Sequence, residues 1–297
     1  FNVAIGYRAL SADTLGSRSV AIGYSALFNQ NFTTATDAYN VAVGMEAGNS
    51  VTTGTRNTII GGLAGDALTT GSFNTAFGYA ALSTEDTAHN NTALGYATLT
   101  TLNGGTQNVA VGQSAAAAMT TGNQNTIIGT NAGDALTDAD QNVAIGYLAL
   151  TADTLGSTST AIGYNTLADQ NFTTATSTYN TAVGYNAGGA VTTGVGNTIV
   201  GGLAGDALTE GQYNSVLGRS ALSAATTGSF NVALGSFSLL SNTTGADNVS
   251  VGYDSLANNT TASYNTAVGR NALKTNILGS KSVALGFSAL EAQNFTT

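Results

Sequence analysis

The 297-residue chain has no proline, no cysteine and no tryptophan, a single histidine, and charged residues at only 8% of positions. Without cysteine there is no disulfide scaffold, no thiolate zinc site and no thiol nucleophile. The one histidine, His89, stands in the polar turn EDTAHNN at 85–91, which excludes a histidine metal set and leaves no base for a nucleophilic triad. The sixteen carboxylates are scattered. Glu85 and Asp86 are merely adjacent, and no pair suggests the facing acids of a glycan-cleaving cleft. No enzymatic activity, metal or cofactor is expected. The seven basic residues (Arg8, Arg18, Arg56, Arg219, Arg270, Lys274, Lys281) are dispersed and the net charge is −9, so nucleic acid is excluded as a partner. The apolar stretch 115–119 is five residues long, far short of the ~20 of a membrane helix. No membrane contact is expected of this segment.

What is present is repetition. NVAIGYRAL at 2–10 returns as SVAIGYSAL at 19–27 and as SVALGFSAL at 282–290. The glycine closing each motif serves as a ruler: Gly6, Gly23, Gly44, Gly61, Gly78 and onward to Gly286, seventeen in all. Fourteen of the sixteen intervals are 17 residues, and two are 21. The long intervals begin at Gly23 and Gly163, 140 residues apart, which marks a larger period of eight units. Such self-similarity is the signature of a solenoid, in which each unit buries its apolar face against its neighbours. Seventeen residues suffice for two short strands and two turns but not for a packed helix pair. The expectation is one all-β array of seventeen parallel β-coils over 1–297. Because it starts inside a unit and stops as a third long unit opens, it reads as a window of a longer fibre.

Within a unit, position −4 from the ruler is Asn in fourteen cases and Ser in three (Ser19, Ser159, Ser282). Stacked coils put these amides above one another, so Asn2, Asn40, Asn57, Asn74, Asn91, Asn108, Asn125 and Asn142 are read as a structural ladder rather than a ligand row. Positions −3 and −1 (Val3 and Ile5) share one strand face, and position −2, usually Ala, points to the other. A second short strand is expected over Tyr7–Leu10, followed by a Thr/Gly turn. The turn aspartates Asp66, Asp134 and Asp206 in AGDAL lack the oxygen-rich run of a calcium loop and are read as turn formers. The natural reading of the alanine column is that larger side chains fill the coil while the Ala face meets other chains. Against it, units with Ile at −2 (Ile59, Ile127, Ile199) carry Gly at +4 (Gly65, Gly133, Gly205). That looks like volume compensation inside one packed space. The sequence leaves the inner face open.

NVAIG and SVAIG followed by a small-residue segment resemble the head repeats of trimeric autotransporter adhesins. NTAVGYNAG at 180–188 and NTALGYATL at 91–99, with TTG turns between copies, are similar to repeats of phage tail fibres and bacterial surface proteins. The resemblance covers all seventeen units. It implies a left-handed β-roll and a homotrimeric rod, extracellular or on a cell or virion surface.

Seventeen coils spaced ~4.8 Å would make a rod of roughly 80 Å. The long units, NQNFTTATDAYN at 29–40 and DQNFTTATSTYN at 169–180, should bulge from it. Phe32, Tyr39, Phe172 and Tyr179 there either form a lateral contact with a neighbour or receptor, or cover the bulge's own small core. The triplets at Asn31, Asn171 and Asn294 are glycan acceptor sequons that Thr-rich repeats also produce by chance. Three functions are compatible: a structural fibre or stalk; an adhesin or phage tail fibre binding a cell-surface, matrix or glycan receptor; and an ice-binding solenoid. The last is weakened by valines (Val3, Val20, Val41, Val109) that break the Thr column.

Overall fold

A computed structural model describes residues 1–84 and 87–293; Glu85, Asp86 and the sequon at Asn294 lie outside the described residues. The chain forms a parallel β-solenoid, with no helix among the described residues. It divides into two compact units, Phe1–Ile145 and Gly146–Thr297.

In the first unit nine three-residue strands follow one another, from Val3–Ile5 and Val20–Ile22 to Thr126–Ile128 and Val143–Ile145. Each pairs in parallel with the next in strict register, so that Thr75, Ala76 and Phe77 face Thr92, Ala93 and Leu94. The second unit repeats the pattern with eight strands from Thr160–Ile162 to Val283–Leu285. β-Branched residues at −3 and −1 suit these strands. The ruler glycine ends each one. Gly95 has a φ of 143°, and a Cβ there would lie 2.5 Å from the carbonyl oxygen of Gly112 in the next coil. Backbone thus rests on backbone, and only glycine permits it.

The segment after the ruler glycine is not the second strand that the sequence suggests. Positions +2 and +4 both have positive φ, as in Arg8 (60°) and Leu10 (52°) or Ala97 and Leu99 (both 50°). This alternation breaks the β pleat and forms a run of turns. The segment still bonds from coil to coil: Ser25 N–H donates to Tyr7 O at 2.9 Å, and Leu10 N–H donates to Ala26 O at 3.0 Å. An L-residue in this conformation costs roughly 1–2 kcal/mol, opposed here by the coil-to-coil backbone hydrogen bonds.

The core corrects the natural reading of the alanine column. Ala21, Ala42, Ala76, Ala93 and Ala110 are fully buried, whereas Phe77 and Leu94 at −1 are 48% and 42% exposed. The methyl face points inward because the turn segment runs close beneath the strand, and the +3 alanines (Ala26, Ala47, Ala81) fill the same narrow space. The exceptional units obey the same volume limit. Ile59 is buried, and a Cβ on Gly65 would come within 3.3 Å of its Cδ1. Ile59→Ala should lower stability by about 2–4 kcal/mol through the cavity left behind. Adding Gly65→Leu should recover most of that, since leucines elsewhere at +4 hold the same φ (Leu82, 56°). Denaturant midpoints of the two single variants and the double variant check this. Additive losses would disprove the shared space.

Candidate functional surface

The asparagine column lies inside the coils. Asn40 is buried; its Oδ1 accepts from Asn57 N–H at 2.9 Å and its Nδ2 donates to Gly54 O at 2.7 Å. The same two bonds recur at Asn57, Asn74, Asn91, Asn108 and Asn125, with the carbonyl acceptor always 14 residues on. Asn142 donates its N–H to Asn125 Oδ1, and Asn2, which is exposed, bonds Ser19 N–H and Gly16 O. Each side chain thereby clamps the start of one strand and the end of one turn in the following coil.

Where serine replaces asparagine, a different polar set fills the interior. In the second unit Gln170 Nε2 donates to Asp153 Oδ2 at 2.6 Å and to Ser159 Oγ at 2.8 Å, while its Oε1 accepts from Asn180 Nδ2 at 2.9 Å. All four residues are fully buried. Asp153 Oδ1 also accepts from the backbone N–H groups of Gly156 and Phe172. Burial pushes the Asp153 carboxyl above its ordinary range, against these hydrogen bonds, which pull it down. The first unit has the equivalent set in Asp13, Ser19, Gln30 and Asn40. Sequence reasoning missed both sets, although a signal was present: each ladder serine is followed eleven residues later by glutamine (Gln30, Gln170, Gln293).

The four extra residues of each long coil add a two-residue strand, pairing Gly16–Ser17 with Thr36–Asp37 and Gly156–Ser157 with Thr176–Ser177. Beside these strands the aromatic quartet splits. Phe32 and Phe172 are buried, the former against Gly16, whereas Tyr39 and Tyr179 are 43% and 68% exposed. Arg18 holds Tyr39: Nη1 donates to the phenol oxygen, and Nε pairs with Asp37 at 3.2 Å. Thr158 replaces that arginine in the second unit. The tips 33–35 and 173–175 are exposed.

The other outward surface is the strand face. Position −1 is apolar in every coil and, along both units, half-buried or exposed, with Leu217 at 53% among the inner coils and Leu285 at 78% in the last. Position −3 beside it is Val or Thr, with one Ser. Just past the glycine, at +1, run tyrosines stacked on one another. His89 is exposed, and its Nδ1 accepts from Ser72 N–H at 2.9 Å. Asp66 and Asp206 are partly buried and their carboxyls are pushed upward by that burial. Among the described residues there is no pocket and no group of three His, Asp or Glu side chains placed to hold a metal. The chain matches no protein-family model and no curated protein. Each unit offers outward an apolar strand face and one long-coil loop.

Proposed function

We propose that this chain is part of an extracellular structural fibre, on a cell or virion surface, whose coils self-associate through the strand face as a homotrimer. The observation that carries this reading is the −1 column. It contains no polar residue in seventeen coils, yet a single chain leaves Phe77, Leu94 and Leu217 about half exposed. Soluble monomers rarely present a contiguous apolar surface of this kind. Covering a half-exposed aliphatic side chain contributes about 1 kcal/mol, and the less exposed −1 residues of the other coils add smaller amounts. The resemblance to adhesin heads and phage tail-fibre repeats supports three chains, and the interior, packed with alanines, leucines and clamped amides, suits a load-bearing element. The long-coil tips, with Tyr39 and Tyr179 beside them, would be where a cell-surface, matrix or glycan receptor meets the flank.

Sedimentation of the full chain tests the association. The expected mass is three chains, falling to one in the double variant Leu94→Glu/Leu217→Glu, whose circular dichroism should be unchanged because both side chains already face outward. A wild-type monomer at micromolar concentration would overturn the proposal.

A further inference from the structure

Seven of the twelve tyrosines follow a ruler glycine and stack on a tyrosine of the adjacent coil. In the first unit the pairs are Tyr7–Tyr24 and Tyr79–Tyr96, with ring centroids 5.5 and 5.7 Å apart and ring planes within 20°. In the second unit three form a run: Tyr147–Tyr164 at 5.5 Å and Tyr164–Tyr185 at 5.3 Å. Exposure across the seven lies between 46% at Tyr147 and 69% at Tyr7. Each pair is thus open to solvent and fixed by strand register, with backbones one coil apart. From this geometry we infer that the stacked tyrosines are sites of intrachain dityrosine cross-linking, each link joining adjacent coils when a one-electron oxidant reaches the surface.

The chemistry follows from the phenols. A one-electron oxidant, such as a peroxidase using hydrogen peroxide, removes one electron from each of two phenols, and their O–H protons pass to solvent. The unpaired spin of each phenoxyl radical resides on the oxygen and on the ortho carbons. One carbon–carbon bond forms between an ortho carbon of each ring. The two ortho hydrogens then leave those carbons as protons while two protons return to the oxygens, restoring both phenols. The net change is the loss of two hydrogens per link, with one peroxide reduced to two waters. A quarter-turn of both rings about Cβ–Cγ converts the cofacial stack into facing ortho edges, and half-exposed rings are free to make it. Radicals on unstacked tyrosines have no such neighbour. Tyr39, Tyr179 and Tyr264 are solitary, Tyr213 stacks on Phe230, and Tyr253 meets Phe237 edge-on. These five serve as internal controls.

The test treats an equal mixture of isotopically heavy and light full-length chain with peroxidase and hydrogen peroxide, and in parallel with a photogenerated ruthenium(III) oxidant small enough to reach every ring. Blue dityrosine fluorescence is read first, followed by denaturation, broad-specificity proteolysis and mass spectrometry. The expected result is links at Tyr7–Tyr24, Tyr79–Tyr96 and within Tyr147–Tyr164–Tyr185, all of single isotopic label. Tyr164→Phe, which keeps the ring stack and the fold, should abolish the links in the second unit and leave both pairs of the first intact. Mixed-label links, links centred on the five control tyrosines, or no link with either oxidant would each overturn the inference. Single-label links at the stacked pairs are expected whether the chain is a monomer or the proposed fibre.

Discussion

Gly95→Ala should unfold at a markedly lower denaturant concentration than the parent chain, and Gly202→Ala should unfold with it. At Gly95 the φ of 143° is one that L-residues rarely adopt, and the new methyl carbon would lie 2.5 Å from Gly112 O and 2.7 Å from Gly112 C. Backbone atoms cannot swing aside as a flexible side chain would, so two coils must separate and the strand bonds between them lengthen. The loss is expected to be at least about 3 kcal/mol, from strain and overpacking together. Gly202 has no left-handed φ, and nothing lies within 4 Å of the position its Cβ would take. There the same substitution should change stability by no more than about 0.5 kcal/mol. Because coils contact only their neighbours, hydrogen exchange should show the Gly95 defect concentrated over residues 78–112. Equal midpoints for the two variants would remove the ruler glycine from its steric role.

The second large effect belongs to Gln170. Gln170→Ala removes a side chain that makes three buried hydrogen bonds and leaves Asp153 without its closest donor. Unsatisfied buried partners cost about 1–3 kcal/mol each, more when one is charged. A loss of about 3 kcal/mol at neutral pH is therefore expected, most of it at Asp153, since Ser159 keeps Thr178 Oγ1 and Asn180 keeps Gly194 O. The pH dependence carries a definite sign. Asp153 has its carboxyl pushed upward in the folded chain, principally by burial. The folded state therefore binds its proton at a higher pH than the unfolded state does, and that contribution to stability is present in acid and lost as pH rises through the folded pKa. Asp66 and Asp206 shift the same way, also chiefly by burial. The parent should thus become more stable as pH falls from neutrality toward the ordinary carboxylate range near ~4. The gap between parent and variant should narrow over the same interval, because the amide donor matters most to an ionised Asp153. Midpoints measured across that interval decide it, and a gap that widens in acid would refute the assignment.

The solenoid was legible because the ruler glycine carries its own physical reason. A residue that must be glycine in every coil prints the period directly into the chain. The inner face was not legible. Habit assigns the larger residue of the strand to the core, but the turn segment here runs so near the strand that position −2 is mostly a methyl group, and Ile59 enters opposite Gly65. That pairing was the one trace of the true arrangement. The second strand was misread because left-handed backbone usually announces itself through glycine, whereas Leu10, Leu82 and Leu99 adopt it under packing forces that no local propensity records. The surface was partly open to reading. The long coils stand out by length alone, yet the division of their aromatics into buried Phe32 and Phe172 and exposed Tyr39 and Tyr179 depends on a two-residue strand pairing that no short motif signals. Asp153 and Gln170 lie 17 residues apart in the chain, and only stacking makes them partners.

The amide clamp has a consequence for inheritance. Since Asn74, Asn91 and Asn108 each grip the following coil through atoms 14 and 17 residues ahead, and Asn108 also reaches back to Asn91 Oδ1, removing one whole 17-residue phrase from that stretch leaves the survivors holding the same kinds of handle. Unequal recombination between such phrases shortens or lengthens the gene without presenting the chain with a new packing problem. The same accident falling between Asp153 and Gln170 leaves a buried acid without its amide, at the cost expected of Gln170→Ala. The cost of a length change is thus uneven along the molecule, low within the asparagine stretches and high at the serine steps.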